Sequence, residues 1–402
     1  MKVLFLHSQC ENGGISRIIF AICDLLKKNG SEGKFAFSRG FIPMEHKEDC
    51  FMFGKKIDIL THVLMTRIFD KHGYGSKNAT KSLIKLINSY QPDIVHINNI
   101  HGYYLNMEIF FEYLKKIRKP IVWTLHDCWP ITGHCSHFEY KECDKWKYKC
   151  EECENISTYP KSWIVDNSYN NFEIKKRLYH GLENLTLVTP ARWLQNMIKN
   201  SILADKKCVV INNGIDLNAF DYIPSSLKKD YGFDNKRLYL AVASVWTDNK
   251  GYSDLFKLVK KIDKDNEQIV VIGVNKKQNI ELQNHGIFAI LHTKSIFELA
   301  CWYSTADVFI NPTYEDTFPT VNIEALACGT PVVTYKTGGS SEIIDESCGL
   351  VVEKGNINSL YIAAKKIESS RKACRKRALK FDQNERFLEY IELYKTILRK
   401  EK

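Results

Sequence analysis

The sequence lacks the features that mark several specialised classes of protein. No segment has about 20 consecutive apolar residues, which is the length that a transmembrane helix needs. There is no internal repeat and no long low-complexity tract, so neither a repeat array nor a disordered chain is expected. The first residues, MKVLFLHSQCENGG, are a short apolar run that leads into a glycine turn, which predicts a buried first strand rather than a secretory signal.

The lack of an export signal bears on the 13 cysteines of the chain. In a reducing compartment cysteines serve as thiols or metal ligands rather than as disulfides. The sequence therefore predicts a cytoplasmic protein with free or metal-bound thiols.

Positive charge is in excess, because the net charge is +10. This excess predicts an anionic partner: a sugar nucleotide or an anionic membrane surface, and not nucleic acid. Two short stretches concentrate the basic residues, 115–119 and 371–380. Each is expected to be either a solvated helix face or a docking surface for anionic lipid at the inner face of the plasma membrane.

Strand and helix signals alternate along the chain, which predicts parallel sheets with helical crossovers. Since 402 residues are too many for one ordinary core, we expect an α/β fold of two doubly wound, Rossmann-like domains. The predicted boundaries are 1–211 for the first domain, 212–224 for a linker and 225–380 for the second domain. The two domains are expected to face each other across a cleft. Ligand is then expected in this cleft, at the carboxyl ends of the strands.

The segment 311–342, NPTYEDTFPTVNIEALACGTPVVTYKTGGSSE, has the most informative pattern in the chain. Thr320 is predicted to cap a helix over 321–328 that a glycine ends. The start of such a helix offers backbone N–H groups and a positive dipole end to phosphate. Asp316 on the preceding loop and Glu324 within the helix offer carboxylates to hydroxyl groups on either side. Taken alone, these two residues could instead cap a turn and complement the helix dipole.

This segment resembles the donor-site motif of the retaining glycosyltransferases of family 4, which have the GT-B architecture. The family pattern has two Glu residues separated by seven others. Here the first position is Asp316, directly after Glu315, and the second is Glu324. The run ALACGTPVV that follows matches closely, and the resemblance covers nearly the whole chain. It implies a UDP- or GDP-sugar donor, no catalytic metal, and a helix over 381–402 that returns to the first domain.

The resemblance also implies roles for individual residues. Lys250 would neutralise the departing diphosphate, and Glu324 would hold the ribose. Asp316 and His126 would hold the sugar. Glu315 is a rival for the role of Asp316. Further donor contacts are expected from loop and helix-start residues of both domains: Gly13, Gly14, Glu315, Thr317, Phe318, Pro319, Thr320, Val321, Gly338 and Gly339.

Histidines follow two predicted strands of the first domain. His126 stands before Asp127 at one strand end, where an isolated histidine is more often structural; the family carries a histidine at this place near the reacting sugar. His96 and His101 flank another strand end and are expected either to line the acceptor side or to be packed in the interior.

An unusual run, DCWPITGHCSHFEYKECDKWKYKCEEC, begins an insertion over about 128–160. Its thiols, Cys135, Cys143, Cys150 and Cys153, are four within 19 residues and end in a Cys-x-x-Cys pair, which suits a structural zinc site that braces a long loop. Packed thiols and redox chemistry are the alternatives. Trp129 and Trp146 in this run are expected to stack on sugars or to pack in the core.

We therefore predict a retaining, nucleotide-sugar-dependent glycosyltransferase. Its expected acceptor is a growing glycan or lipid-linked oligosaccharide in the synthesis of a bacterial surface polysaccharide such as capsule. One alternative is a sugar-nucleotide 2-epimerase of the same architecture. Another is a non-catalytic glycosyltransferase-like subunit, because Ser244 stands where the family usually has an Arg.

Overall fold

The computed structural model describes residues 1–10 and 14–400. The chain folds into two compact units: Met1–Asn212 together with Arg386–Lys402, and Asn213–Glu385. Both are built on parallel sheets, so the predicted α/β class with two doubly wound sheets is confirmed. No helix in the described part of the chain has both the length and the apolarity that crossing a membrane requires.

The first unit contains nine strands and six helices in the described ranges before the chain enters the second unit. The strands are β1 (Lys2–Leu6), β2 (Gln9–Cys10), β3 (Glu32–Phe37), β4 (Arg39–Gly40), β5 (Cys50–Met52), β6 (Ile94–Ile97), β7 (Ile121–Thr124), β8 (Leu185–Thr189) and β9 (Lys207–Val210). The helices are α1 (Gly14–Lys28), α2 (Lys56–Phe69), α3 (Lys77–Tyr90), α4 (Met107–Ile117), α5 (Ser168–Tyr179) and α6 (Arg192–Ile198).

Seven of these strands form one parallel sheet in the order β5-β3-β1-β6-β7-β8-β9, and β2 pairs with β4. The central strands β6, β7 and β8 are buried along their whole length, as parallel strands covered on both faces must be. The winding direction changes between β1 and β6, so loops diverge there at the carboxyl ends of the strands.

The second unit repeats this plan. Its strands are β10 (Arg237–Val242), β11 (Glu267–Ile272), β12 (Phe288–Ile290), β13 (Val308–Asn311), β14 (Val332–Tyr335) and β15 (Gly349–Val352). Its helices are α7 (Leu227–Asp230), α8 (Tyr252–Leu258), α9 (Lys276–Asn284), α10 (Ile296–Thr305), α11 (Thr320–Ala327), α12 (Ser340–Ile343), α13 (Ile357–Lys366) and α14 (Arg371–Ala378). The sheet order β12-β11-β10-β13-β14-β15 places the change of winding between β10 and β13.

The basic stretch 371–380, which contains α14, is more than a solvated or lipid-binding face. Arg375 donates hydrogen bonds to three backbone carbonyls, at 2.9, 2.6 and 3.0 Å: those of Leu217, Phe220 and Ala327. Arg377 likewise donates to the carbonyls of Glu342 and Ile343. These arginines join separate loops of the second unit, while the lysines of the stretch remain exposed.

Replacing Arg375 by alanine is expected to lower the free energy of unfolding by about 2–4 kcal/mol, because carbonyls would lose a charged donor. Thermal or urea unfolding measures the effect. The neighbouring Lys376→Ala, which removes the same charge from an exposed position, serves as the control and should change the free energy by less than about 0.5 kcal/mol. Equal effects of the two variants would show that the hydrogen bonds from Arg375 to these carbonyls do not stabilise the fold.

The final helix, α15 (Gln383–Lys400), ends on the first unit and buries His96. The ring nitrogens of His96 lie 2.6 Å from the Tyr394 hydroxyl oxygen and 2.8 Å from Thr124 Oγ1. Of the two expectations for His96, packing in the interior is therefore confirmed, and the residue does not line an acceptor surface. Burial, followed by repulsion from His126, lowers the pKa of His96 to about 3.

This shift predicts a pH dependence of stability. Between pH 6.5 and about 3 the unfolded chain binds a proton at His96 that the folded chain does not bind, so stability is lost as the pH falls. The loss should be about 1.4 kcal/mol per pH unit for such a histidine. Urea unfolding at pH 7, 6 and 5 should show a shallower decline in His96→Gln than in the unchanged chain, with exposed His180→Gln as the control. An identical decline in both variants would contradict the prediction.

Candidate functional site

The chemically interesting residues of the second unit collect where its sheet changes winding direction. The loop after β10 carries Lys250, and the loop after β13 carries Glu315 and Asp316 before α11 begins. Gly251 makes the close approach of the two loops feasible, because its φ is +80° and a Cβ there would lie 2.3 Å from the Pro312 carbonyl oxygen. The fold thus joins residues that are 65 positions apart in the chain.

Lys250 connects the two loops directly. Its Nζ donates to the backbone carbonyl of Glu315 at 2.8 Å and to Asp316 Oδ2 at 2.8 Å. About a third of the Lys250 side chain and a quarter of the Asp316 side chain are exposed. An ammonium group and a carboxylate are therefore held together at the surface of the unit, at the carboxyl ends of its strands.

The two adjacent acidic residues have different surroundings. The Glu315 carboxylate is buried and accepts a hydrogen bond from Asn249 Nδ2 at 2.6 Å. The Asp316 carboxylate is more exposed, and its Oδ1 accepts from the backbone N–H of Phe318 at 3.1 Å. The geometry makes Asp316 the more accessible of the two rivals, while Glu315 ties the loop to the segment that carries Lys250.

Helix α11 begins one residue earlier than the sequence suggested. Pro319 is the N-cap and Thr320 the first helical residue, so Thr320 is not the cap. Proline cannot cap through its side chain, and the structure gives this N-terminus no side-chain cap. Gly329, with a φ of +85°, follows the helix as predicted. The Phe318 side chain is buried against Phe381, and Thr317 is also buried. Contacts of these two residues with a donor remain predictions.

Glu324 lies on the second turn of α11 and is partly exposed. The buried Tyr303 donates its hydroxyl to Glu324 Oε2 at 3.0 Å, which orients the carboxylate. The glycine loop is close by in the fold, since the backbone N–H of Gly339 donates to the Asp316 carbonyl at 3.4 Å and Gly338 has a positive φ of 47°. The second unit therefore brings together Lys250, Asp316, the start of α11 and the predicted glycine loop.

In the first unit, polar side chains collect at the strand ends next to the change of winding. His126 Nε2 lies 2.9 Å from Asn98 Oδ1, and burial lowers the pKa of His126 to about 4 although Asp127 opposes the shift. Gly14 begins α1, whereas the predicted donor contact Gly13 lies outside the described residues. His126 is thus a partly buried side chain that is neutral near neutral pH.

His101 and Asp127 form a short pair beside it, with 2.6 Å between Nε2 and Oδ2. Burial raises the pKa of Asp127, but the facing His101 outweighs that effect and the pKa is held at about 2. Tyr159 from the cysteine-rich insertion completes the group, since its hydroxyl lies 3.0 Å from His101 Nδ1. His101 is buried with both ring nitrogens hydrogen-bonded, so its contacts agree with the packed alternative of its two expected roles.

His7 belongs to the same edge and was not singled out in the sequence. It directly follows β1, the strand next to β6, and is buried, and its Nδ1 has no hydrogen-bond partner within residues 1–10 and 14–400. Burial, then repulsion from His126 and His101, lowers the pKa of His7 to about 3. Its position directly after the first strand was the available signal, because strand ends at a change of winding meet in space.

The predicted zinc site in the insertion is not supported. Among residues 1–10 and 14–400, no group of three or more His, Cys, Asp or Glu side chains is arranged to hold a metal ion. The four cysteines are free thiols that line one small cavity. The Cys135 thiol donates a hydrogen bond to Cys153, whereas Cys143 and Cys150 each accept from a backbone N–H.

The two tryptophans of the insertion pack in the core, which is one of the two roles predicted for them. Trp129 is buried beneath the Lys175 ammonium, which lies 3.3 Å from its ring centroid. Trp146 is buried and stacked on Phe138 with 5.0 Å between the ring centroids.

A family model described as Glycosyltransferase Family 4 matches residues 12–219, and one described as Glycosyl transferases group 1 matches residues 225–386. WcaC of Escherichia coli, provisionally named as a colanic acid biosynthesis glycosyl transferase, is 23% identical over 91% of this chain and 90% of its own length.

A second relative and a solved structure extend the comparison. The N,N'-diacetylbacillosaminyl-diphospho-undecaprenol alpha-1,3-N-acetylgalactosaminyltransferase of Campylobacter jejuni is 27% identical over 52% of this chain and 58% of its own. The structure of Anabaena Alr3699/HepE in complex with UDP-glucose has a TM-score of 0.68 at 15% identity, over 98% of this chain and 100% of the other. At that identity the structural likeness supports the fold alone, which is GT-B.

Proposed function

This chain belongs to Glycosyltransferase Family 4, with a second half of the group 1 type, and from that membership we propose that it transfers a sugar from a nucleotide-sugar donor to a growing glycan with retention at C1. The observation that carries the proposal is the meeting of Lys250, Asp316 and the start of α11 at the change of winding in the second unit. A cation and a helix N-terminus stabilise the negative charge of a diphosphate, and a carboxylate can accept hydrogen bonds from sugar hydroxyls.

In the proposed reaction, the bond between C1 of the sugar and the diphosphate oxygen breaks as C1 becomes oxocarbenium-like. Lys250 and the N–H groups at the start of α11 stabilise the negative charge that develops on the diphosphate. The acceptor hydroxyl bonds to C1 on the face that the diphosphate leaves, and its proton passes to the departing phosphate oxygen. Atoms and charge then balance without an enzyme nucleophile.

The carboxylates of the second unit bind the donor in this proposal. Asp316 accepts a hydrogen bond from a sugar hydroxyl, and Glu315 supports it through Asn249. Glu324, oriented by Tyr303, accepts from the ribose. For the first unit by itself, we propose that neutral His126 binds a sugar hydroxyl. The nucleotide of the donor is proposed to be UDP or GDP. UDP is favoured, because Alr3699/HepE binds UDP-glucose.

We propose a glycan on a lipid carrier as the acceptor, in the synthesis of a bacterial surface polysaccharide. The relative named for colanic acid biosynthesis and the relative named for a diphospho-undecaprenol acceptor support this class. Such an acceptor would place the protein in the cytoplasm at the inner face of the plasma membrane.

Release of nucleoside diphosphate from a panel of UDP- and GDP-sugars, with and without membrane lipid extract, tests the proposal. A transferase releases nucleoside diphosphate faster when acceptor is present, and NMR of the product shows the same anomeric configuration as the donor. Interconversion of donor sugars without acceptor would instead indicate the 2-epimerase. Nucleotide binding without turnover would indicate the non-catalytic subunit.

A further inference from the structure

Helix α2 presents apolar side chains to solvent on a face that ought to be polar. Ile57, Leu60 and Leu64 recur at helical spacing and are 60%, 64% and 55% exposed. The opposite face of the helix is used for packing, since His62 and Thr66 are buried there. The exposed stripe is therefore apolar although the helix already packs through another face, and contiguous exposed apolar surface marks an interaction site.

The stripe continues onto a second segment of the same unit. The backbone N–H of Trp163 donates to the Arg67 carbonyl at 2.7 Å, and that of Val165 donates to the Ile68 carbonyl at 3.2 Å. Arg67 in turn donates to the Lys161 carbonyl at 2.8 Å. Trp163 and Ile164 are 63% and 75% exposed. We call the joined surface of the α2 stripe and residues 163–165 the apolar patch.

Positive charges border the apolar patch. Lys55 and Lys56 stand at the start of α2, Lys71 follows its end, and Lys161 precedes Trp163, all with exposed side chains. Two carboxylates of the same segments are engaged by backbone N–H groups, since Asp58 accepts from Lys55 and Asp166 accepts from Cys153 and Ser168. The patch has aliphatic side chains and a tryptophan at its centre and lysines around it. This arrangement suits a lipid surface, because aliphatic groups match the acyl chains, tryptophan matches the interface and lysines match the headgroups.

We propose that the apolar patch docks this protein on a bilayer that contains anionic phospholipid. Leu60, Leu64 and Trp163 enter the boundary between headgroups and acyl chains, and the bordering lysines meet lipid phosphates. A symmetric pair of copies is disfavoured as the occupant, because a twofold contact would bring the lysine border of one copy against that of the other. The proposal deepens the proposed function, because its membrane setting rests on the proposed lipid-linked acceptor, but docking itself needs no donor chemistry.

The test is co-sedimentation of the full chain with vesicles of 30 mol% phosphatidylglycerol in phosphatidylcholine, against vesicles of phosphatidylcholine alone. The triple variant Leu60→Gln, Leu64→Gln and Trp163→Gln should lower the partition coefficient about tenfold or more. Its control carries the same change at apolar positions of similar exposure in the second unit: Ile280, Phe297 and Ile362.

A charge-matched pair tests the border. Lys56→Gln, Lys71→Gln and Lys161→Gln should lower binding to the anionic vesicles about tenfold, whereas Lys372→Gln, Lys376→Gln and Lys380→Gln should leave it nearly unchanged. Both triples reduce the net charge from +10 to +7, so a difference between them reports position and not total charge. All changed side chains are exposed, and unchanged melting temperatures would verify that the variants fold.

Two results would overturn the proposal. The first is equal vesicle binding by the patch variants and their controls, or none by the unchanged chain. The second is a concentration-dependent dimer in analytical ultracentrifugation that the Leu60, Leu64 and Trp163 changes dissociate, which would assign the patch to self-association. Nucleotide-sugar turnover in detergent-free buffer is measured in parallel, so that failure of docking and failure of the proposed chemistry are seen separately.

Discussion

Replacing Lys250 by alanine should lower the rate of sugar transfer about 10²–10³-fold, the effect expected for the loss of one preorganised charge at a developing anion. Lys250 is the cation that contacts Asp316, and it lies on a loop held close to the loop before α11. Without it, the charge on the departing diphosphate would depend on backbone N–H groups alone. The decrease should appear in kcat, because the charge grows as the bond breaks.

Two further variants make this result specific. Lys250→Arg keeps the charge and should recover part of the rate, since only the geometry of the donor changes. Lys260→Ala removes an exposed lysine of the same unit and should have the activity of the unchanged chain. Thermal unfolding separates loss of activity from loss of fold, because Lys250 also donates to the Glu315 carbonyl. A Lys250→Ala enzyme with an undiminished kcat would refute the role given to this residue.

Glu324→Ala should weaken binding of the nucleotide about 30- to 100-fold, which corresponds to roughly 2–3 kcal/mol for hydrogen bonds to a charged acceptor. Isothermal titration with UDP and GDP measures the change without any need for an acceptor. Tyr303→Phe should give a smaller loss, because it removes the hydroxyl that orients the carboxylate while the carboxylate remains.

The chain provides a close control for this experiment. Glu281 lies on helix α9 of the same unit and also accepts a tyrosine hydroxyl, that of Tyr252, at 2.9 Å. Glu281→Ala therefore removes a similar tyrosine–carboxylate contact away from the proposed donor site and should leave nucleotide affinity unchanged. Equal losses in Glu324→Ala and Glu281→Ala, or none in either, would contradict ribose binding by Glu324.

Much of the architecture could be predicted because it depends on local patterns. Buried parallel strands such as β6 (Ile94–Ile97) and β8 (Leu185–Thr189) are short apolar runs, which is the local pattern that predicts a strand. Strand β3 (Glu32–Phe37) was not predicted, because polar residues and a glycine interrupt its apolar run. Its place beside β1 depends on pairing with a distant segment, which no local pattern reveals.

The site residues divide in the same way. A glycine-ended helix after an acidic turn predicted α11 and a place for phosphate, but the contact between Lys250 and Asp316 exists only because β10 and β13 are neighbours in the sheet. The different surroundings of Glu315 and Asp316 are equally a matter of tertiary structure, since Asn249 comes from another loop. Cysteine spacing suggested a zinc site that the packing of the insertion does not form.

By itself, therefore, the sequence determined the alternation of strands and helices, the family and the segment that carries the donor motif, because periodicity and turn residues act over a few positions. Tertiary structure alone decided which charges meet, which histidines are buried and which basic residues hold loops together through hydrogen bonds to backbone carbonyls. Those outcomes depend on side chains from distant segments and on whether water reaches them, and burial and pairing of that kind are properties of the assembled fold.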